Sequence, residues 1–269
     1  MATRLKIWLH GLFEQIVTCK ESVNERFKQS MEWNGTHPYR EITVLTDNYT
    51  ILCMADTHVG GTVNLDKFLA IAKATNATAV AMVGDLTTGH AKDYAVLQQH
   101  LTNYTSFPMF LMVGNHDLHF SGWKEFYARF GSSTYLVTVK TPIASDLFIC
   151  LDTGSGTLGS DQFDWLSRWL KLIGKNYRNC FMLTHNNLFR FRHTETGNPL
   201  TEELLALIDL FTRYQVDVFI AGHDHKYDAV KFGNTTYIVM NALKDGDKNA
   251  GYLQLTVKNG VIAYENKAI

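Results

Sequence analysis

Short apolar runs alternate with amphipathic stretches from about residue 50 onward. This pattern is typical of strands packed beneath helices, because a buried strand is apolar on both faces whereas its covering helix is apolar on one. It predicts strands at 50–55, 79–83, 109–113, 147–151, 180–184 and 218–221. Helices are expected between them at 65–75, 91–104, 162–173 and 202–214. The predicted fold class is therefore α/β.

The helical periodicity ends after residue 221. Runs such as TTYIVM, GYLQLTV and VIAYENK, separated by Gly and Asn turns, indicate antiparallel strands and hence a second sheet. We see no repeat, and no linker after residue 40, so we expect an N-terminal helical appendage at 1–40 and one domain at 41–269. The segment RLKIWLHGLFEQIV predicts an amphipathic helix, for which weak contact with a membrane surface is one alternative.

A small group of polar residues follows each of five predicted strands: ADTH, GDLTTG, GNHD, THNN and GHDH. In open α/β sheets, ligands bind beyond the carboxyl ends of the strands, so we expect these groups to converge. Each group alone has an ordinary explanation, because Asp-x-His and Gly-Asp are common in turns and at helix N-termini. Five of the eleven histidines fall within these groups, however, and this concentration indicates one shared site.

The residue types of the shared site indicate metal binding. Carboxylate, imidazole and amide ligands suit borderline or hard ions such as Mn²⁺, Fe²⁺ and Zn²⁺, and the groups contain no cysteine for a structural thiolate site. Seven ligands are too many for one tetrahedral ion but fit two ions about 3.5–4 Å apart that share a carboxylate. The candidate ligands are Asp56, His58, Asp85, Asn115, His185, His223 and His225.

The ordered pattern Asp-x-His, Gly-Asp, Gly-Asn-His-Asp, His and Gly-His-x-His resembles the signature of the calcineurin-like metallophosphoesterases. Intervals of 29, 30, 70 and 38 positions separate Asp56, Asp85, Asn115, His185 and His223, and they also fit that family. The resemblance extends over about residues 50 to 269. It implies a four-layer α/β/β/α sandwich of two mixed sheets flanked by helices, with the active site at the C-terminal ends of the strands.

The resemblance also implies a reaction, in which a hydroxide bridging two divalent or trivalent metal ions (Mn, Fe or Zn) hydrolyses a phosphoester. Asp85 would bridge the ions. The other ligands would divide into two sets, Asp56, His58 and His225 for one ion and Asn115, His185 and His223 for the other.

Two further residues have roles implied by the resemblance. His116 would act as the general acid that protonates the leaving oxygen, a task that suits imidazole near neutral pH. Asp117 would orient His116 through a hydrogen bond to its other ring nitrogen. Three nearby features have ordinary explanations. For His90 and His119 we favour structural or exposed roles, and for Arg190 and Arg192 a solvated loop. Trp123, Phe126 and Tyr127 have the helical spacing of core residues.

The expected substrate is a small or medium phosphoester. A net charge of −1 without clustered Lys or Arg argues against a nucleic-acid partner. A cyclic-nucleotide or other phosphodiesterase is the alternative enzyme, although HNN at His185 departs from the subgroup in which a second His and a Pro often stand. The alternative of another class is a non-catalytic scaffold with the same fold, and the complete ligand set argues against it.

Cellular context is only weakly constrained by the sequence. The four cysteines are far apart and three lie in apolar runs, so a disulfide framework is not expected. No apolar stretch reaches the roughly 20 residues that a transmembrane helix needs. We therefore expect a cytoplasmic protein, with a processed or trimmed exported protein as the alternative.

Overall fold

The structure, a computed structural model, describes residues 19–37, 40–104, 107–173, 176–188 and 201–269. The N-terminal segment RLKIWLHGLFEQIV and the arginines Arg190 and Arg192 lie outside the described residues. None of the helices in the described part is long and apolar enough to cross a membrane. The four cysteines are free, and all of them are buried, including Cys19, which lies outside the apolar runs.

The described residues form twelve strands and six α-helices. The strands are β1 Arg40–Thr43, β2 Asn48–Met54, β3 Ala79–Val83, β4 Met109–Met112, β5 Tyr135–Lys140, β6 Ser145–Leu151, β7 Cys180–Thr184, β8 Val218–Ala221, β9 Asp228–Phe232, β10 Thr235–Val239, β11 Gly251–Lys258 and β12 Val261–Ala268. The helices are α1 Val23–Thr36, α2 Val63–Ala74, α3 Ala91–Thr102, α4 Gly122–Phe130, α5 Gly159–Ile173 and α6 Thr201–Tyr214. A short 3₁₀ segment, His116–Ser121, precedes α4.

The strands form two mixed sheets. The five-stranded sheet has the order β12-β11-β2-β3-β4, in which β2, β3 and β4 are parallel. The seven-stranded sheet has the order β1-β5-β6-β7-β8-β10-β9, in which β6, β7, β8 and β10 are parallel. A second sheet is therefore present, as the sequence predicted. The C-terminal strands are divided between the two sheets, however, because β11 and β12 join β2 whereas β10 joins β8.

The two sheets pack face to face, and helices cover the outer faces. Alternation along β2 shows how, since Ile51 and Cys53 belong to the core between the sheets while Leu52 and Met54 belong to the core beneath α2, α3 and α4. A third apolar cluster lies between the seven-stranded sheet and helices α5 and α6. The four-layer α/β/β/α sandwich is thus confirmed.

The six strands predicted before residue 222 are present, with ends shifted by at most two residues. Three strands were not predicted. β1 and β9 are sheet edges with mostly exposed or half-buried residues, so their sequences lack a hydrophobic signal. β5 did have a hydrophobic signal in the sequence, because its apolar residues Tyr135, Val137 and Val139 occupy every second position and enter the core between the sheets.

The first described helix, α1, packs against α5 and β5. Ser22 and Glu25 form a capping box at its N-terminus. Arg26 is completely buried and makes a two-bond ion pair with Asp152, at the end of β6. The division of the chain at residue 40 stays a prediction.

Candidate metal centre

The five polar groups come from both sheets. ADTH, GDLTTG and GNHD follow the parallel strands β2, β3 and β4, whereas THNN and GHDH follow β7 and β8 of the other sheet. The carboxyl ends of these two sets of strands meet at one edge of the sandwich, which brings all seven candidate ligands together. That two sheets supply the site was not evident from the sequence.

Asp56, His58 and His225 form the first group of candidate ligands, with all three ligand atoms within 4.8 Å of one another. Oδ1 of Asp56 is 3.2 Å from Nε2 of His225. Nε2 of His225 is in turn 3.3 Å from Nε2 of His58.

Asp85, His185 and His223 form the second group, and all three are buried. Nε2 of His185 lies 3.2 Å from Oδ2 of Asp85, 3.2 Å from Oδ1 of Asn115 and 3.2 Å from Nδ1 of His223. Asp85 also belongs to a third group, with His58 and His116. Asp85 therefore lies between the two predicted ligand sets.

These residues fit a metal ion on three observations. Two ligand atoms bound at about 2.1 Å and at right angles are about 3.0 Å apart, close to the 3.2–3.3 Å separations here. Nδ1 of His185 faces the carbonyl oxygen of Val83 at 2.9 Å and must be the donor, so the neutral ring has its Nε2, beside Asp85, free to bind a cation. Oδ1 of Asp56 is buried and accepts no hydrogen bond among the described residues. Such an orphaned carboxylate oxygen needs a cation.

Five of the seven candidate ligands adopt left-handed backbone conformations, with φ between 45° and 72°. They are Asp56, His58, Asp85, His223 and His225. Positive φ is uncommon for residues other than glycine, and such strain is concentrated at functional sites. Of the glycines that precede Asp85, Asn115 and His223, only Gly84 also has positive φ, at 81°.

Three of the ligands are each preceded by a glycine, at a position where a larger side chain would not fit. Cβ atoms added at Gly84 and Gly222 would lie 2.6 Å from the ring of His185 and 2.7 Å from Oδ2 of Asp56, respectively. A Cβ at Gly114 would overlap the carboxylate of Asp85. These glycines thus permit the close approach of the loops.

The electrostatics of the site differ between its histidines. Burial lowers the pKa of His58 to about 4, despite the nearby carboxylates of Asp85 and Asp56. Burial also opposes protonation of His185, but the adjacent Asp85 carboxylate, with Asp56, raises the pKa of His185 to about 9. The adjacent Asp56 carboxylate, whose Oδ1 lies 3.2 Å from Nε2 of His225, raises the pKa of His225. Protons and metal ions therefore compete for the same carboxylate-facing nitrogens.

His116 lies at this edge of the sandwich with its ring in edge contact with that of His58, at a centroid distance of 4.5 Å. Its backbone N–H donates to Oδ1 of Asp85 at 2.7 Å. The backbone bond fixes the position of His116 beside the predicted bridging carboxylate, and the side chain is half-buried.

The prediction that the ring of His116 donates a hydrogen bond to Asp117 is wrong for the described structure. The buried Asp117 carboxylate instead accepts four hydrogen bonds, listed by donor as the N–H groups of Leu86, Thr87 and Gly114 and the hydroxyl of Thr87. Burial and the Asp85 charge raise the pKa of Asp117 to about 7. Asp117 therefore joins the loops after β3 and β4, and it acts on His116 only through the backbone.

A segment for which the sequence predicted no role, the loop after β6, also supports the site. Thr153, after β6, shares a hydrogen bond with Thr184 at 2.6 Å and accepts one from the N–H of Asn186. Asp152 accepts the two bonds from Arg26. The only sequence signal was the polar LDTGSG run after an apolar strand, the same kind of signal that marked the five groups.

The comparisons with known proteins agree with this geometry. The sequence model for calcineurin-like phosphoesterases matches residues 49–227. A search of curated proteins gives no match. Among solved structures, a dimetal phosphatase from Danio rerio is similar at 14% identity and a TM-score of 0.67, covering 82% of this chain and 96% of that one.

Two other solved structures have the same fold. GAP50, described as the anchor in the inner membrane complex of Plasmodium, has 13% identity and a TM-score of 0.61, with 83% and 85% of the chains covered. A Staphylococcus aureus protein described as a putative 5′-nucleotidase has 14% identity and a TM-score of 0.55, with 82% of this chain and 53% of that chain covered. At such identities the structures show a shared fold, whereas the sequence match covers more than half of the chain. The chain therefore belongs to the calcineurin-like phosphoesterase family, whose general activity is metal-dependent hydrolysis of phosphoesters.

Proposed function

We propose that the protein is a binuclear metallophosphoesterase that hydrolyses a small or medium phosphoester, with His116 as the general acid. The observation that carries this proposal is the position of Asp85. Its carboxylate belongs to two candidate metal-binding groups, and its Oδ1 accepts the N–H of His116. The bridging ligand and the acid are thereby held in fixed relation to each other.

Each ion has its own set of protein ligands in this proposal. Asp56, His58 and His225 hold one ion, and Asn115, His185 and His223 hold the other, with Asp85 shared. When bound, the two ions lower the pKa of a water molecule and neutralise charge on the phosphoryl oxygens.

The chain's own residues supply the rest of the chemistry. His116 donates a proton from its ring to the leaving oxygen. General-acid catalysis of this kind typically raises the reaction rate 10²–10⁴-fold. The bond between Asp85 and the backbone of His116 keeps that ring on one side of the site. The carboxylate of Asp117 fixes the loops that carry Asp85 and His116, because it binds the backbone N–H groups of Leu86 and Gly114.

The alternatives from the sequence analysis remain distinguishable by chemistry. A phosphodiesterase uses the same metal centre, so only substrate comparison separates it from a monoesterase. A non-catalytic scaffold is the other candidate, since the similar GAP50 is described as an anchor. The retention here of every predicted ligand favours catalysis, as does the buried Oδ1 of Asp56, which accepts no hydrogen bond among the described residues.

The experiment compares wild-type protein with His116→Ala. Both are stripped with chelator, reloaded with Mn²⁺, Zn²⁺, Fe²⁺ or Mg²⁺, and assayed for bound metal and for hydrolysis of aryl and alkyl phosphomonoesters and diesters. We expect about two metal equivalents in both proteins and a 10²–10⁴-fold lower kcat of His116→Ala for alkyl esters. The loss should be smaller for p-nitrophenyl esters, because that leaving group needs little protonation.

The matched control is His100→Ala, which removes a histidine of α3 that pairs with Asp66 of α2 and lies outside the five polar groups. It should retain wild-type turnover. Stripped protein that hydrolyses bis-p-nitrophenyl phosphate as fast as loaded protein contradicts the metal requirement. Unchanged alkyl-ester turnover by His116→Ala contradicts the role of His116 alone.

A further inference from the structure

A row of aromatic rings leads away from the proposed acid. The ring of His116 is 5.0 Å from that of His119, and the ring of His119 is in edge contact with that of Phe120 at 6.1 Å. Phe120 stacks on His90 at 4.1 Å with an interplanar angle of only 12°. The side of the site that holds the acid thus continues into a pair of parallel rings, which we call the His90–Phe120 platform.

The Phe120 ring of the platform is exposed to solvent, and the backbone at this point has an unfavourable conformation. Phe120 is 69% exposed, and both Phe120 and the following Ser121 have positive φ, of 53° and 65°. Consecutive left-handed conformations at non-glycine residues are unusual, and for a bulky residue such as phenylalanine positive φ is a marked departure. An exposed apolar ring does not repay this strain by burial, which points to a use for the ring at the surface.

The remaining non-glycine residues with positive φ emphasise this. Besides the five candidate ligands, Phe120 and Ser121, the described chain has only three, and each follows a helix or forms a hairpin turn: Asn76, Gln215 and Asn259. Those are ordinary places for a left-handed residue. Phe120 and Ser121 lie at the kink between the 3₁₀ segment and α4, where Ser121 is the N-cap, and neither is a candidate ligand. At this junction the unusual feature is Phe120, because a bulky aromatic residue seldom adopts positive φ.

The platform is also fixed in position by the two loops that carry its rings. A Cβ added at Gly89 would lie 2.6 Å from the carbonyl oxygen of His119 and 2.7 Å from that of His116, so the loop carrying His90 is packed directly on the loop carrying Phe120. The carboxylate of Asp117 ties the two loops together through the backbone and hydroxyl of Thr87. A rigid pair of rings can select a planar partner.

We propose that the His90–Phe120 platform binds a planar aromatic group, such as a nucleobase, on the leaving-group side of the substrate. This proposal rests on the proposed function, because it is the acid His116 that identifies the leaving-group side. The leaving oxygen must lie next to His116, and the group attached to that oxygen then extends over His119 toward Phe120. Stacking on an exposed aromatic side chain recognises any base through its π-face.

The test uses pairs of substrates with the same leaving oxygen. Adenosine 5′-monophosphate and ribose 5-phosphate differ only at the base, and their methyl diesters form a second pair if the enzyme prefers diesters. Metal-loaded wild-type protein should have a higher kcat/KM for the adenosine compound of its pair. Phe120→Ala should reduce this preference about 5- to 100-fold, the range for loss of one base-stacking side chain. Its activity on the ribose compound should not change.

Matched variants separate stacking from folding. Phe120→Trp should retain the preference, whereas Phe120→Leu, which keeps the apolar bulk without a ring, should lose most of it. His90→Ala should lower the preference in part, because it removes the second ring of the pair. Phe232→Ala removes a 53% exposed phenylalanine from β9, near a turn that approaches Thr212 of α6, and should leave both substrates unaffected.

A binding measurement keeps the inference independent of turnover. The phosphonates in which CH₂ replaces the ester oxygen of each monoester cannot be hydrolysed, and their affinities for metal-loaded wild-type and Phe120→Ala protein are measured by calorimetry. If wild type binds both phosphonates with equal affinity, or if Phe120→Ala lowers the two affinities equally, the proposed role of the platform is overturned even if phosphoester hydrolysis is found. Preferential adenosine binding that Phe120→Ala abolishes supports it even if neither ester is hydrolysed, in which case the proposed function alone fails.

Discussion

The buried ion pair between Arg26 and Asp152 offers a sharp test of how the N-terminal helix supports the site. Arg26 is fully buried in α1 and donates through Nε to Oδ2 of Asp152 at 2.8 Å and through Nη2 to Oδ1 at 3.1 Å. Burial would lower the pKa of Arg26, but the Asp152 carboxylate raises it, so the guanidinium stays charged. The substitution Arg26→Met keeps an unbranched side chain and removes the charge.

The expected loss follows from what remains of Asp152. Its side chain is 1% exposed, and without Arg26 its Oδ1 keeps one hydrogen bond, from the N–H of Gly154 at 3.0 Å. Removing one partner of a buried pair costs about 3–5 kcal/mol, because the other charge is left uncompensated. That is a large part of a typical unfolding free energy of about 5–15 kcal/mol. Arg26→Met/Asp152→Asn should recover part of the loss, since no buried charge is left.

The measurement is urea unfolding of wild type, both variants and Arg213→Met at one fixed concentration of metal. Arg213 also pairs with an aspartate, Asp209, but both side chains are more than 60% exposed, so its loss should cost less than about 1 kcal/mol. A loss below about 1 kcal/mol for Arg26→Met, or a double variant less stable than Arg26→Met, would refute the assignment of a stabilising buried pair.

Two further predictions concern the metal centre itself. Gly114→Ala should weaken metal binding about 10- to 100-fold in a calorimetric Mn²⁺ titration, because the new Cβ overlaps the Asp85 carboxylate, whereas Gly35→Ala, with no atom within 4 Å, should not. In stripped protein near pH 8 we expect His185, with its pKa raised to about 9 from an ordinary 6.5, to release a proton on metal binding, so the binding enthalpy should vary with the ionisation enthalpy of the buffer. The same protonation should contribute its full stabilisation to stripped protein below about pH 6.5, and this contribution should be lost as the pH rises through 9. If the unfolding free energy of stripped wild type changes no more than that of His185→Asn over this interval, the prediction is contradicted.

Much of the fold was predictable because its central strands are buried on both sides. β3, β7 and β8 are continuous apolar runs with every residue buried, and their limits were predicted without error. β1 and β9 could not be predicted in the same way. Their stabilisation comes from pairing with β5 and β10, which depends on the tertiary structure and leaves little mark on hydrophobic periodicity.

The candidate site was predictable to the level of residue type and strand end, but its support was not. Asp117 was assigned to the ring of His116 from the resemblance to the family, yet it binds the backbone of the neighbouring loop. Such partners depend on which strands become neighbours, here β3 and β4. Phe120 was likewise hidden, because the exposure and left-handed backbone that distinguish it are three-dimensional properties.

The strain in the candidate ligands connects stability with activity. Left-handed conformations at five of them cost on the order of 1–3 kcal/mol each, although Asp and His tolerate this region better than most residues. The same turns direct the carboxylates and imidazoles toward one another, at separations of 3.2–3.3 Å that call for a proton or a metal ion between them. Bound metal compensates for both effects, since it binds the folded site far better than the unfolded chain. The rigid core of two sheets provides the stability that holds these ligands in place, and metal binding then raises the unfolding free energy again.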